Sequence, residues 1–240
     1  MEFQYPNEWD FMEGIDAFPA YIYKTKFDFN FKSFQPKVDE YLKASKKLST
    51  EKGWGDPENG DAITGVHLNN TEEFRVETDW DVPHNWEEFK KFFAFVEYVT
   101  PFLMNTWFKA PPCNMSVSES WINVHRKGGW TQAHHHQNAT IAIAAYLEVP
   151  ENSGNLLIEN PLRPYKCSEP LAQNSEDLIW GPIEVETNDV LFFPGWLTHK
   201  TEHNPTDNPR YVLSTNLSHM INWPGIPRWH YQGRKINTTD

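Results

Sequence analysis

The sequence predicts a mainly β protein, a sandwich or barrel carrying an N-terminal helical layer. Two patterns predict it. Short apolar runs broken by Gly, Pro and Asn turns crowd the second half of the chain, while helical periodicity is confined to the first half. No internal repeat or composition break divides the 240 residues, so residues 1–240 are expected to form one domain. Its helical part spans about residues 30–110 and its β part about 116–218.

Phe18 to Lys24 has the Tyr and Ile content of a strand. Gln35 to Leu48 predicts a helix, with Pro36 near its start and Val38, Tyr41, Leu42 and Leu48 on one face. Glu51 to Asn70 is rich in Gly, Asp and Asn and reads as loop. Trp86 to Trp107 is the strongest helix: Phe89, Phe92, Phe93, Val96 and Val99 recur at helical spacing, and Pro101 should kink or divide it. Strands then follow at Val117–His125, Ala139–Val149, Asn155–Glu159 after a Ser153-Gly154 turn, Val190–Phe193 before Pro194-Gly195, and Tyr211–Leu217. The tail from Asn222 to Asp240 is expected to pack over the sheet edge.

Composition narrows the function. A net charge of -12 repels phosphate backbones, which disfavours nucleic-acid and anionic-membrane partners. Cys113 and Cys167 stand alone, with no Cys-x-x-Cys pair, as expected of a reduced cytoplasmic protein with no cysteine metal site. The first residues lack a signal-peptide pattern, and no apolar run approaches the ~20 residues of a membrane helix.

The chemistry-bearing residues lie in the β half. In an extended segment alternate side chains share a face, so His134 and His136 can both turn inward while His135 points away. Two imidazoles at that spacing can chelate one cation; the bland alternative is a solvated histidine loop. His199 follows the apolar run Val190–Phe193 and the Pro194-Gly195 turn, and a close pair plus a distant third ligand suits a metal site with open positions. Arg210, Val212, Ser214 and Asn216 fall on one face of the last strand. Arg210 with Ser214 makes a carboxylate clamp, the guanidinium gripping both oxygens. An inward Arg210 implies a bound acid or an internal partner, and the alternative is a surface Arg210 paired with Asp207.

Together these residues resemble the iron(II)/2-oxoglutarate-dependent dioxygenases, most closely a prolyl-hydroxylase-like uncharacterised group of bacteria and bacteriophages. The likeness is carried by Trp121-Ile122-Asn123, Lys127-Gly128-Gly129, His134-x-His136, Ser153-Gly154, Pro194 to His199, Arg210 and Asn216, across about residues 116–218. It implies a double-stranded β-helix, the jelly-roll or cupin-like fold. It implies iron(II) on His134 and His199, the distal carboxylate of 2-oxoglutarate on Arg210, and O2 as oxidant. Tyr146 or Asn123 would add hydrogen bonds to the co-substrate, and His125, on the face of Asn123, would look into the site. Hydroxylation of a C–H bond with release of succinate and CO2 is the implied reaction.

The sequence departs from that family at His136, where an Asp or Glu is usual. Either His136 is the third ligand or a carboxylate such as Glu159 replaces it. Three neutral imidazoles would leave the site at +2, the charge that 2-oxoglutarate neutralises. A three-histidine cupin dioxygenase or isomerase without 2-oxoglutarate is the second reading; it lacks the expected Glu near Thr140 and Ile141 and gives Arg210 no role. A metal-free β-barrel is the third. Trp130, Trp180 and Trp196 are candidates to wall the substrate pocket. The primary substrate (peptidyl residue, free amino acid, nucleobase or metabolite) and the oligomeric state are not encoded in these motifs.

Overall fold

In a computed structural model of the protein, residues 12–17, 20–42, 83–109, 115–137, 139–161, 179–219 and 235–236 are described. Among the described residues, ten strands form two antiparallel sheets. They are β1 (Glu13–Ala17), β2 (Ala20–Lys26), β3 (Met115–His125), β4 (Ile141–Glu148), β5 (Leu156–Glu159), β6 (Trp180–Ile183), β7 (Asp189–Pro194), β8 (His199–Thr201), β9 (Arg210–His219) and β10 (Lys235–Ile236). The large sheet runs β1-β2-β7-β4-β9-β3-β10 and the small one β6-β5-β8. A bridge between His134 and His199 extends the small sheet. Helices α1 (35–42) and α2 (Lys90–Phe108) join them.

The two faces of the large sheet have different jobs. Ile141, Ile143, Ala145 and Leu147 of β4, Val190 and Phe192 of β7, and Leu213 and Leu217 of β9 share one core with Phe92, Phe93, Val96, Val99 and Leu103 of α2. The alternate residues Ala142, Ala144, Tyr146, Leu191, Phe193 and Val212 meet Leu156 and Ile158 of the small sheet in a second core. A continuous apolar strand such as Ile141–Leu147 is therefore buried on both faces. These two facing sheets are the double-stranded β-helix, with the helical layer on its outside.

On β3 a register shift between Val117 and Glu119 changes which residues point inward. Val117 packs with the helix, as do Ile122 and Val124. Beyond the shift Glu119, Trp121, Asn123 and His125 pair with Asn216, Ser214, Val212 and Arg210, the inner face of β9. A strict period-two reading of β3 cannot find this change.

Three expectations are corrected. Pro101 does not divide the second helix: α2 runs through it from Lys90 to Phe108. The lost backbone hydrogen bond is tolerated while the helix keeps its buried face, and the Thr100 hydroxyl donates to the Val96 carbonyl at 2.7 Å. The first strand signal, Phe18–Lys24, falls on β2 (Ala20–Lys26), but the strand that pairs with it in a hairpin, β1 (Glu13–Ala17), was not predicted. The short strands β6 and β8 carry no periodic pattern and were not predicted. The rest of the 35–48 helix, the Glu51–Asn70 loop and all of the tail but Lys235–Ile236 lie outside the described residues. That remnant of the tail pairs with Met115 and Ser116 at the sheet edge. No helix among the described residues is long and apolar enough to cross a membrane.

Gly195 holds the turn between β7 and β8 against the chain leading into β4. A Cβ there would lie 2.0 Å from the Ala139 carbonyl oxygen, so only glycine permits the approach. Gly195 also accepts the His136 amide at 2.8 Å. Gly195→Ala is expected to cost about 3 kcal/mol or more, because backbone on both sides must move. A melting temperature unchanged from the parent would overturn this.

Candidate metal centre

His134, His136 and His199 converge: one ring nitrogen from each lies within 4.8 Å of the other two. His199 opens β8, which hydrogen-bonds to β5 and, across the bridge, to His134. The backbone bonds His134 N to His199 O (3.0 Å) and His199 N to His134 O (2.9 Å) hold the two residues opposite each other. His136 is fixed by its amide bond to Gly195. Its ring stacks on Trp121 at 5.8 Å, and the His199 ring meets Phe193 at 4.8 Å. His135 is exposed, as the alternation requires.

The tautomers follow from the acceptors. His199 Nδ1 lies 2.9 Å from the Leu197 carbonyl and His134 Nδ1 2.7 Å from the Gln132 carbonyl. A carbonyl can only accept, so both Nδ1 atoms carry the proton and both Nε2 atoms present lone pairs. His136 Nε2 is 3.3 Å from His199 Nε2, a separation that needs a proton or a cation between the two. Two nitrogens bound at right angles to an ion at ~2.1 Å lie ~3 Å apart, close to that spacing. Burial, then the neighbouring His134 and His136, hold His199 well below the ordinary histidine value. Burial also lowers His134. His134 and His199 are therefore neutral at neutral pH, the state a divalent metal needs. The donor set fits a divalent ion such as iron(II).

Glu159 does not join this group. It alternates with Ile158, which faces the inner core, and so lies on the other side of β5. Among the described residues the three histidines are the one group of His, Cys, Asp and Glu side chains placed to hold a metal.

The predicted co-substrate residues are spread along the barrel interior rather than gathered at one carboxylate. Arg210 is fully buried, which removes the surface alternative, and Asp207 pairs instead with Lys127 at 2.7 Å. Its guanidinium has internal partners. Nη1 donates to the carbonyls of Ser153 (2.8 Å) and Gly154, Nη2 to that of Glu202 (3.3 Å), and Nε to His125 Nδ1 (3.3 Å). That leaves one N–H, on Nη2, of the five. The two-oxygen grip is thus corrected: without rearrangement Arg210 offers an acid its charge and one donor. Ser214 is corrected too. It lies four residues along β9, ~13 Å from Arg210, so it cannot share one carboxylate oxygen with it. Its hydroxyl accepts from Asn123 Nδ2 at 3.1 Å.

Tyr146 pairs with Val212 in β-sheet register on the inner face and is buried, which pushes its hydroxyl pKa up. Asn123 keeps a buried Oδ1 with no partner among the described residues. Asn216 sits at the opposite end of β9 from Arg210. His125 does not reach the metal group; it bonds Thr131 Oγ1 at 2.8 Å and Arg210. The predicted pocket walls are elsewhere as well. Trp196 is exposed, Trp180 lies under Lys200, and Trp130 packs on His203. The rings beside the histidines are Trp121 and Phe193, which sequence reasoning missed. Their signal was their place in the alternation, with Asn123 and with Leu191.

Two facing sheets with the three histidines beside their inner core make a double-stranded β-helix with a group that could hold a metal ion. Within that class, residues 119–216 match the family described as "Putative 2OG-Fe(II) oxygenase". That match takes in His134, His136, His199 and Arg210. No curated protein matches the chain. Several solved structures are similar. HygX from Streptomyces hygroscopicus, solved with nickel and 2-oxoglutarate, shares 12% identity over 85% of this chain and 83% of its own, with a TM-score of 0.47. A Pseudomonas putida prolyl-4-hydroxylase shares 12% over 75% and 82% (TM-score 0.41). A Burkholderia pseudomallei 2OG-Fe(II) oxygenase-family oxidoreductase shares 10% over 52% of this chain and 56% of its own (TM-score 0.38). The chain thus spans little more than half of that last protein.

Burial, and then the Arg210 charge, hold His125 well below the ordinary histidine value of about 6.5. Between those two values the unfolded chain binds a proton that the folded one refuses. Stability is therefore full above pH ~6.5 and falls as the pH drops below it. Melting of metal-free protein from pH 7.5 to 5 should show this fall. His125 is no ligand, so its share should persist when metal is added. A flat profile over that range would contradict the burial of these rings.

Proposed function

We propose that the protein is an iron(II)/2-oxoglutarate-dependent dioxygenase that hydroxylates a C–H bond of its substrate. The observation that carries this reading is the convergence of three imidazole nitrogens within 4.8 Å, inside a β-helix whose residues 119–216 match that family. Iron and 2-oxoglutarate would supply the oxidative chemistry there: one O2 is consumed, one oxygen atom enters the substrate, and the co-substrate leaves as succinate and CO2. The chain's own part is to hold and to exclude. His134, His136 and His199 hold the metal, with the Leu197 and Gln132 carbonyls fixing two of the rings. Arg210 places a positive charge at the far end of the inner face to attract the distal carboxylate, and Tyr146 and Asn123 line the path between. Phe193, Leu191 and Val212 keep water from that interior. The same reading places the enzyme in the cytoplasm, with a small molecule or a peptidyl residue as substrate and no nucleic-acid partner.

The test is optical. Without oxygen, iron(II) and then 2-oxoglutarate should produce a visible metal-to-ligand charge-transfer band. Admitting O2 should release succinate. Iron binding without that band would point to the three-histidine cupin alternative, which the family match does not favour.

A further inference from the structure

We propose that His136 determines how this site holds its acid co-substrate: an all-imidazole ligand set leaves the bound cation its full double charge, and that charge, more than Arg210, binds the acid. This rests on the oxygenase reading above and concerns binding ahead of turnover. The ligand group is three ring nitrogens, and no carboxylate of the described residues joins it. His134 and His199 offer Nε2, because Nδ1 of each faces a carbonyl. His136 turns its Nε2 to the same place, 3.3 Å from that of His199. Packing fixes that ring: it stacks on His199 at 5.1 Å, with 7° between the planes, and on Trp121 at 5.8 Å. A ring that ligates through a lone pair is uncharged, so the set takes nothing from the charge of a divalent ion. The acids of the nearby strands do not make up the difference as ligands. Asp189 meets Lys24 and Lys26 at the start of β7, Glu159 lies on the other side of β5, and Glu119 Oε2 accepts the Asn216 amide.

The far end of the inner face holds the acid less firmly. Arg210 has given four of its five N–H bonds to Ser153, Gly154, Glu202 and His125. The Glu202 carboxylate also acts on the guanidinium, so a negative charge is already set near it. A distal carboxylate therefore meets a cation largely satisfied in hydrogen bonds and partly compensated in charge. The chelating end of the acid meets the opposite case. Beside three imidazoles it faces a charge of +2; with a carboxylate at position 136 it would face +1 and a like charge next to it. The walls here are Phe193, Leu191, Val212 and Ala144, which screen weakly, so one unit of charge at the metal weighs heavily. The imidazole at position 136 and the internally bonded Arg210 thus compensate each other: what the guanidinium no longer offers, the metal supplies.

The test is calorimetric, on full-length protein loaded with zinc(II), and reads affinity rather than activity. In the parent, 2-oxoglutarate is compared with 2-oxopentanoate, in which a methyl group replaces the distal carboxylate. The loss should be no more than about tenfold; a larger one would make Arg210 the principal hold and overturn the inference. The second comparison uses oxalate, which chelates the metal but is too short to reach Arg210, and imidazole, a neutral ligand. His136→Asp and the longer His136→Glu should keep zinc and bind oxalate and 2-oxoglutarate about tenfold or more weakly, with imidazole binding as in the parent. Parent-like oxalate affinity in a zinc-loaded variant overturns the inference. So does a parallel loss of oxalate and imidazole, which would mean a misshapen site and not a change of charge. If neither variant holds zinc, the 2-oxopentanoate comparison decides alone. If the zinc-loaded parent binds neither 2-oxoglutarate nor oxalate, the oxygenase reading has failed instead.

Discussion

His199→Ala is expected to lower iron affinity by more than about 100-fold and to abolish succinate release, while the β-helix still forms. Loss of a residue that merely orients a ligand costs 10- to 100-fold in metal affinity, and in the proposed site His199 is itself a ligand, brought in from the second strand. Its Nε2 lies 3.3 Å from that of His136, and its ring packs 4.3 Å from that of His134. Without it, two imidazoles from one short segment remain. The fold has little to lose. β8 is tied to β5 and to residue 134 through backbone atoms, which alanine keeps. His199 is also a buried base with a depressed pKa, so its removal relieves an acid-sensitive site in the metal-free protein. Anaerobic iron titration with far-ultraviolet circular dichroism separates the two effects, and exposed His135→Ala serves as the control that changes neither. Parent-like iron affinity in His199→Ala would move the metal out of this site.

The site was legible where chemistry and alternation coincide. His134 and His136 share a face because any extended chain puts them there, and His199 follows a strand apolar enough to be recognised as buried. Arg210 stood at the start of an alternating strand. What could not be read was distance along that strand. The one-face grouping of Arg210, Ser214 and Asn216 is correct, but ~3.3 Å per residue spreads them over the whole barrel, so they serve different ends of it. The inward set on β3 was hidden by the register shift at Val117 and Glu119, which is a property of pairing with β9 and not of β3 alone. The strong helix α2 was predictable because its buried face repeats five times. Strands β6 and β8, four and three residues long, exist only because β5 lies between them.

Arg210→Ala should cost both co-substrate binding and stability, the second by about 3–5 kcal/mol. The side chain is fully buried, and its departure strips a donor from the carbonyls of Ser153, Gly154 and Glu202 and from His125 Nδ1. Gly154 is itself held at a φ of 91°, with the guanidinium packed against it, so this corner has no other filling. At ~2–4 °C per kcal/mol for a chain of this size, the melting temperature should fall by roughly 10 °C. Iron affinity, measured below that melting point, should hold, because no imidazole of the metal group bonds to Arg210. Arg210→Lys sharpens the result. It keeps the charge but has one nitrogen to serve three carbonyls, so it should recover part of the 2-oxoglutarate affinity while remaining less stable than the parent. Full stability with lost co-substrate binding would mean the internal hydrogen bonds contribute nothing. Lost stability with parent-like 2-oxoglutarate binding would mean Arg210 is a structural strut, and the positive end of the co-substrate path must then be sought in another residue.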